Sequence, residues 1–262
     1  MPRKTKPIRS DIAWSTPDRI EVRGRSLPDE LLGKISLGDM AWLLIVGRMP
    51  TPQESTVFNA VAVTLVEHGI TPSALAARIT YAGAPESLQA AVAAGLCGLG
   101  SVFVGSTEGT AKMLYEALPP GTKGADLEKI ARDLVAGYRQ RGQIVPGLGH
   151  PLHKPVDPRA PRLFKIAEEN GFSGDYIKLE RLICAEAERA SGKMLPVNAT
   201  GAIGAICCEL GLPWKIVRGV GVFARAIGLV GHILEESNTP MAVEIWQRVE
   251  DEATAHVRPN AG

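Results

Sequence analysis

Proline placement constrains the fold of this chain more than any other sequence feature. Thr51-Pro52-Gln53-Glu54 and Thr71-Pro72 each set a hydroxyl side chain one residue before a proline. A proline at the first helical position gives up no hydrogen bond, because the N–H it lacks has no helical acceptor, and the threonine before it can cap the exposed amides. Glu54 completes a capping box. Asp157-Pro158 repeats the device with a carboxylate. Apolar residues at helical spacing then predict helices over Asp39–Val46, from Pro52 to about Glu67, from Pro72 through Arg78, from Pro85 to about Leu96, and over Thr107–Leu118. Pro119-Pro120-Gly121 breaks the chain. Further helices are expected over Asp126–Arg139, from Pro158 to near Gly171, and over Leu179–Ala190, Ala202–Leu210, Val217–Glu235 and Pro240–Ala255. Only Arg19–Val22 reads as a strand, with Arg23-Gly24-Arg25 turning out of it. The expectation is an all-α fold.

Composition narrows the setting. The 262 residues suffice for one large domain or two modest ones, and 45% are hydrophobic, enough for a real core. Basic and acidic residues number 29 and 28, a net charge of +1, which gives no reason to expect a nucleic-acid or anionic-membrane partner. Arg3-Lys-Thr-Lys-Pro-Ile-Arg9 reads as a frayed arm. No uninterrupted apolar run approaches the roughly 18 residues of a membrane span, and the N-terminus lacks the apolar core of a secretory signal. Cys97, Cys184, Cys207 and Cys208 have no paired metal-ligand spacing; they read as buried free thiols of a cytoplasmic protein. Gly95-Leu-Cys-Gly-Leu-Gly100 lacks a preceding strand and a following Walker lysine, so its glycines are read as helix-crossing points rather than a nucleotide loop.

Chemistry concentrates in Gly147-Leu-Gly-His-Pro-Leu-His-Lys-Pro-Val-Asp-Pro-Arg159. A glycine turn leads into two imidazoles, a lysine and an arginine, ahead of a helix start. Such a segment can move a proton at His150 while cations hold an anionic substrate. Arginine's planar fork suits carboxylates, and Arg225 lies in an apolar helix where an unpaired guanidinium is costly. Asp157 reads as an N-cap rather than a catalytic group.

This segment resembles the Gly-x-Gly-His…Asp-Pro-Arg signature of the citrate synthase superfamily. The chain looks most similar to short citryl-CoA lyases and to the C-terminal lyase module of ATP-citrate lyase. Arg23-Gly24, Leu43-Leu-Ile-Val-Gly-Arg-Met-Pro50-Thr51, Glu67-His68-Gly69, Lys193-Met-Leu-Pro-Val-Asn198 and Phe223-Ala-Arg225-Ala-Ile-Gly228 extend the resemblance over roughly residues 18 to 236. It implies a citrate-synthase-like arrangement of a large and a small helical domain with the active site in the cleft between them. The large domain would take residues 1–105 and 210–262, and the small domain 106–209. A homo-oligomer, at least a dimer, is implied as well.

By the same resemblance, His150 takes or gives the proton of the substrate hydroxyl, and His68, Arg159 and Arg225 hold its carboxylates. Lys154, His153 and Lys193 lie toward coenzyme A, which enters as part of the substrate or product. No metal is implied. Two positions depart from the condensing enzymes of the family. Phe103 stands where they place a histidine on the thioester carbonyl. Thr200 stands where they place the aspartate that deprotonates the acetyl methyl, and threonine cannot serve as a carboxylate base near neutral pH. The implied reaction is retro-Claisen cleavage of (3S)-citryl-CoA to acetyl-CoA and oxaloacetate. Alternatives are cleavage of citramalyl-CoA or a related 3-hydroxy-acyl-CoA, condensation in the citrate-synthase direction, and a non-catalytic CoA-thioester-binding paralogue. The implied ligands are an acyl-CoA and a dicarboxylate or keto acid.

Overall fold

The computed structural model describes residues 7–149 and 155–258. Chain contacts divide it into two compact units, residues 1–60 and 61–262.

The first unit opens with a three-stranded antiparallel meander: β1 (Ala13–Thr16), β2 (Arg19–Val22) and β3 (Arg25–Ser26). Only the middle strand was expected from sequence. β1 is exposed along its whole length, so it carries no inside–outside alternation to read. Arg23 and Gly24 both sit at positive φ (50° and 75°), as a primed two-residue hairpin turn requires, and this returns β2 onto β3. A π-type turn over Leu27–Leu31 leads to α1 (Leu37–Val46). Ser36 and Asp39 form a reciprocal capping box, which starts α1 two residues earlier than the apolar pattern alone suggests, and Gly47 closes it in the left-handed region. Val22, Leu31 and Leu43 form the core of this unit, with Leu27, Ile35, Met40, Leu44 and Met49 packed around them.

α2 (Pro52–Val66) starts as the proline pattern predicts. Thr51 N–H donates to Glu54 Oε2 at 2.8 Å, and Glu54 N–H donates to Thr51 Oγ1 at 3.2 Å. In the second unit α3 (Pro72–Gly83) is capped by Thr71 with Pro72 in its first turn. There follow α4 (Leu88–Cys97), α5 (Gly105–Ala117), α6 (Leu127–Gln140), α7 (Arg159–Glu169), α8 (Asp175–Ser191), α9 (Ala199–Glu209), α10 (Trp214–Asn238) and α11 (Ala242–Thr254). α3 packs on α4, α5 on α9 and α6 on α8, while α10 crosses α3, α4 and α5. α9 is buried almost throughout, from Ala199 to Cys208. Ala77, Ala91, Leu229 and Ile233 join α3, α4 and α10 in one cluster, and each large side chain sealed there contributes about 1.5–3 kcal/mol. A side chain on Gly95 would collide with Leu229 Cδ1 at 2.7 Å and Ser73 O at 2.8 Å, so that glycine is a crossing point as expected.

Two expectations need correction, the burial of all four thiols and the cap position of Asp157. Cys97 is exposed, and Cys184 is only half-buried; just Cys207 and Cys208 are sealed in the core, because they lie on α9. The helix after Asp157-Pro158 begins at Arg159, and Asp157 stands one residue outside the cap position. At 25 residues α10 is long and apolar enough to cross a membrane by length and composition, but it carries Arg218, Arg225 and His232 and packs against α3, α4, α5 and α9 of its unit. It reads here as a core helix.

Candidate active site

Gly147, Leu148 and Gly149 run beside Pro196, Val197 and Asn198 as an isolated antiparallel bridge. Gly149 N–H donates to Pro196 O at 2.8 Å, and Asn198 N–H donates to Gly147 O at 2.9 Å. The Asn198 side chain locks both sides. Its amide donates to Gly149 O at 2.6 Å, while Oδ1 accepts from the N–H groups of Thr200 and Gly201 and from Thr200 Oγ1. Asn198 is thus the cap of α9 and the clamp on the glycine turn. Gly147 must be glycine on two grounds. Its φ is +85°, and a side chain there would meet the Gly201 Cα at 2.6 Å.

Asp157 couples α7 to the same place. Its buried carboxylate accepts from Arg159 N–H (3.1 Å) and Ala199 N–H (2.9 Å) and binds the Arg159 guanidinium through Nε (3.0 Å) and Nη2 (2.9 Å). Burial opposes its ionisation. The Arg159 guanidinium and the two amides outweigh burial and hold the carboxyl down at about 2. The first turns of α7 and α9 and the glycine turn therefore form one hydrogen-bonded assembly, with Arg159 and Thr200 on it. His150, His153 and Lys154 lie outside the described residues; the turn that leads into them is described as far as Gly149.

Arg225 and His68 belong to a second cluster in the same unit. On α10, Arg225, Leu229, His232 and Glu236 follow helical spacing along one buried face. Glu67, just past α2, accepts from the N–H groups of His68 (2.8 Å) and Gly69 (2.7 Å). Its carboxylate lies 3.1 Å from His232 Nε2 and 3.8 Å from Arg225 Nη1. Burial raises the Glu67 carboxyl, but the His68 amide and His232 more than offset it, and the net shift is downward. Arg78, with no exposed surface, donates through Nε to His232 Nδ1 at 3.1 Å and through Nη1 to Glu236 Oε2 at 3.0 Å, and it also bonds Glu235. Arginine can only donate, so His232 Nδ1 is an acceptor, and the ring hydrogen falls on Nε2 toward Glu67.

Arg225 is the least satisfied member of this cluster, though His232 Nε2 also has no hydrogen-bond partner among the described residues. It is 6% exposed, and neither Nε nor Nη1 has a hydrogen-bond partner among the described residues. Its pKa is lowered by burial, with Glu67 opposing the shift and the charge of Arg159 adding to it. Two arginines that feel each other, one bound to a carboxylate and one with two nitrogens that have no hydrogen-bond partner among the described residues, are suited to hold a ligand carrying more than one carboxylate. His68 is half-buried at the end of the Glu67 loop. The structure thus groups Arg159 with Thr200, brings Arg225 within electrostatic reach of Arg159, and joins Arg225 to the segment carrying His68. No described contact ties Phe103 or Lys193 to these groups. Phe103 is 48% exposed in the turn before α5, and Lys193 is exposed in the turn after α8.

Sequence reasoning missed Glu67, Arg78 and His232 as partners of the site and Glu180 beneath it. The spacing of Arg225, His232 and Glu236 on one face was a usable signal. Arg78 and Glu180 had none, since each looks like one charged residue on an amphipathic helix.

The citrate synthase C-terminal domain model matches residues 45–246. This chain belongs to the citrate synthase family. Its fold superposes on citryl-CoA lyase from Hydrogenobacter thermophilus with a TM-score of 0.80 and 33% identity, covering 89% of this chain and 88% of that one. It also superposes on a variant ATP citrate lyase from Methanosaeta concilii in complex with (3S)-citryl-CoA, with a TM-score of 0.74, 22% identity, and coverage of 90% and 40%. Citrate synthase 2 of Bacillus subtilis is 26% identical over 191 residues, 72% of this chain and 49% of that protein. The chain thus spans about half the length of that curated relative.

Proposed function

We propose that this family member is a citryl-CoA lyase, an enzyme that cleaves a carbon–carbon bond in a CoA thioester. The observation that carries the reading is the buried Arg225 guanidinium: among the described residues Nε and Nη1 have no hydrogen-bond partner, Glu67 lies 3.8 Å from Nη1, and Arg159 is within electrostatic reach. Burying such a group costs several kcal/mol unless a ligand completes it, and a substrate carboxylate does so with two charge-assisted hydrogen bonds. Similarity to a citryl-CoA lyase along nearly the full length of both chains supports the same substrate class.

In this reading Arg159, Arg225 and His68 hold the carboxylates of citryl-CoA. His150 accepts the hydroxyl proton. The electron pair of the breaking carbon–carbon bond passes to the thioester as an enolate, and the new carbonyl leaves in oxaloacetate. The enolate then takes a proton from water to give acetyl-CoA. Thr200 does not supply that proton, because its hydroxyl is committed to Asn198 Oδ1 at 2.7 Å and lacks carboxyl acidity. Lys154, His153 and Lys193 are assigned to the coenzyme A portion, and Phe103 to the apolar side of the thioester. The division into a large domain (1–105 and 210–262) and a small one (106–209), a dimer or larger homo-oligomer and a cytoplasmic setting belong to the same proposal.

Thr200 favours one second reading, a CoA-thioester-binding paralogue without turnover. Offering purified protein citryl-CoA and citramalyl-CoA separately distinguishes the possibilities. Citryl-CoA cleavage abolished in His150→Ala supports the lyase. Release of pyruvate from citramalyl-CoA moves the assignment to the smaller substrate. Binding of either thioester without turnover selects the paralogue.

A further inference from the structure

Glu180 lies on α8 with no exposed surface, and neither carboxyl oxygen has a hydrogen-bond partner among the described residues. A side chain on Gly147 would fall 2.9 Å from Glu180 Oε1, and one on Gly201 would fall 2.7 Å from the same oxygen. The carboxyl therefore lies against both glycine backbones where the turn leading to His150 crosses the first turn of α9. Thr110 of α5 also lies against Gly147, its Oγ1 2.7 Å from where a side chain there would fall and donating to Ser106 O at 3.0 Å.

We propose that Glu180 is a positioning residue: a neutral carboxyl sealed under the Gly147–Gly201 crossing, which keeps the His150-bearing turn clamped to α9 only while it holds its proton. The catalytic part of this statement rests on the lyase reading above.

An isolated buried carboxylate is too costly to persist, so the group neutralises instead. Burial alone pushes the Glu180 carboxyl up to about 8. No cation among the described residues offsets it. The titratable groups coupled to it are Cys184 on its own helix and Cys208 on α9, and burial holds both thiols above their ordinary range. α5 brings Thr110 next to Gly147, and α6, which packs on α8, presents no described group whose charge reaches Glu180. An ionised Glu180 can recover hydration only if water enters, and the crossing glycines block the way. Parting them breaks the bonds from Asn198 N–H to Gly147 O and from Gly149 N–H to Pro196 O. The Asn198 clamp on Gly149 O goes with them.

The test compares wild type with Glu180→Gln, which keeps a neutral polar side chain of the same size and cannot ionise. Citryl-CoA cleavage is followed from about pH 6 to about pH 9.5. The expected wild-type result is a kcat that falls about tenfold per pH unit above the Glu180 transition with little change in KM. Glu180→Gln should lack that alkaline limb, and identical limbs in the two proteins overturn the proposal. A second readout needs neither turnover nor a variant. Hydrogen exchange at the Gly149 and Asn198 amides, corrected for intrinsic base catalysis, should lose protection in wild type across the same transition. Protection that does not change with pH overturns the proposal. If wild type cleaves no thioester, the lyase reading fails, and amide exchange still decides the role of Glu180.

Discussion

Arg78 and Glu180 are both sealed from solvent, and they handle burial in opposite ways. Arg78 stays inside a network, bonded to His232, Glu235 and Glu236, with Glu67 and Arg225 next along the chain of contacts. Glu180 has no ionic partner among the described residues, and its proton replaces one. The difference is one of availability. Three acidic residues and a histidine from the end of α2 and from α10 reach the Arg78–Arg225 cluster, whereas the Glu180 carboxyl lies against the backbones of Gly147 and Gly201 and finds no hydrogen-bond partner among the described residues. A paired buried charge persists across neutral pH; an unpaired one makes its surroundings respond to pH.

The largest effect expected from breaking this contrast is at Arg78. Arg78→Met strands the Glu236 carboxylate, 3% exposed, and removes the donor to His232. The expected loss is about 3–5 kcal/mol in urea denaturation, as for other buried pairs deprived of one member. A loss below about 1 kcal/mol would mean that the network contributes little.

Arg225→Met should separate binding from stability. Two of its nitrogens have no hydrogen-bond partner among the described residues, so the midpoint of unfolding should hold or rise. The kcat/KM for citryl-CoA should fall roughly 100-fold, about 3 kcal/mol of lost carboxylate binding. A parallel loss of stability would assign Arg225 to structure instead.

The crossing above Glu180 gives the next effect. A methyl at position 201 would meet Gly147 O at 2.4 Å and Glu180 Oε1 at 2.7 Å. Gly201→Ala should cost about 1–3 kcal/mol, read from the same denaturation curves. Gly231→Ala is the control, since a side chain there meets open space.

Asp157 sharpens the comparison as a paired acid. Its folded pKa, about 2, lies below the ordinary aspartate value of 3.8, so the unfolded chain binds the proton more readily. Its contribution is present above 3.8 and is lost as pH falls through about 2, on the order of 2 kcal/mol in all. Asp157→Asn should flatten that part of the stability–pH curve, and an unchanged acid limb would rule the pairing out as its source. The smallest effect is expected at the exposed Lys129–Asp133 pair, where Lys129→Ala should leave the urea midpoint unchanged.

The helices were largely legible because their punctuation is local. Thr51, Thr71, Gly47 and Gly192 mark ends through caps and left-handed turns that follow from a few neighbouring residues. The exposed β1 strand was not legible, for it has no buried face to alternate. Arg159 and Arg225 stood out because each sat in a resemblance to a family motif. Asp157 was read as a local cap, while its bond to Ala199 spans 42 residues and binds α7 to α9.

The sequence by itself determined a helical chain with a chemically loaded segment after Gly147, since capping, periodicity and glycine turns act over a few residues. Only the tertiary structure decided which charges are paired. Glu180 and Arg78 look like ordinary helix-surface charges, and their environment comes from residues on other elements that packing brings against them: His232 and Glu236 for Arg78, Gly147 and Gly201 for Glu180. Desolvation and ion pairing depend on neighbours in space, and no spacing along the chain encodes them.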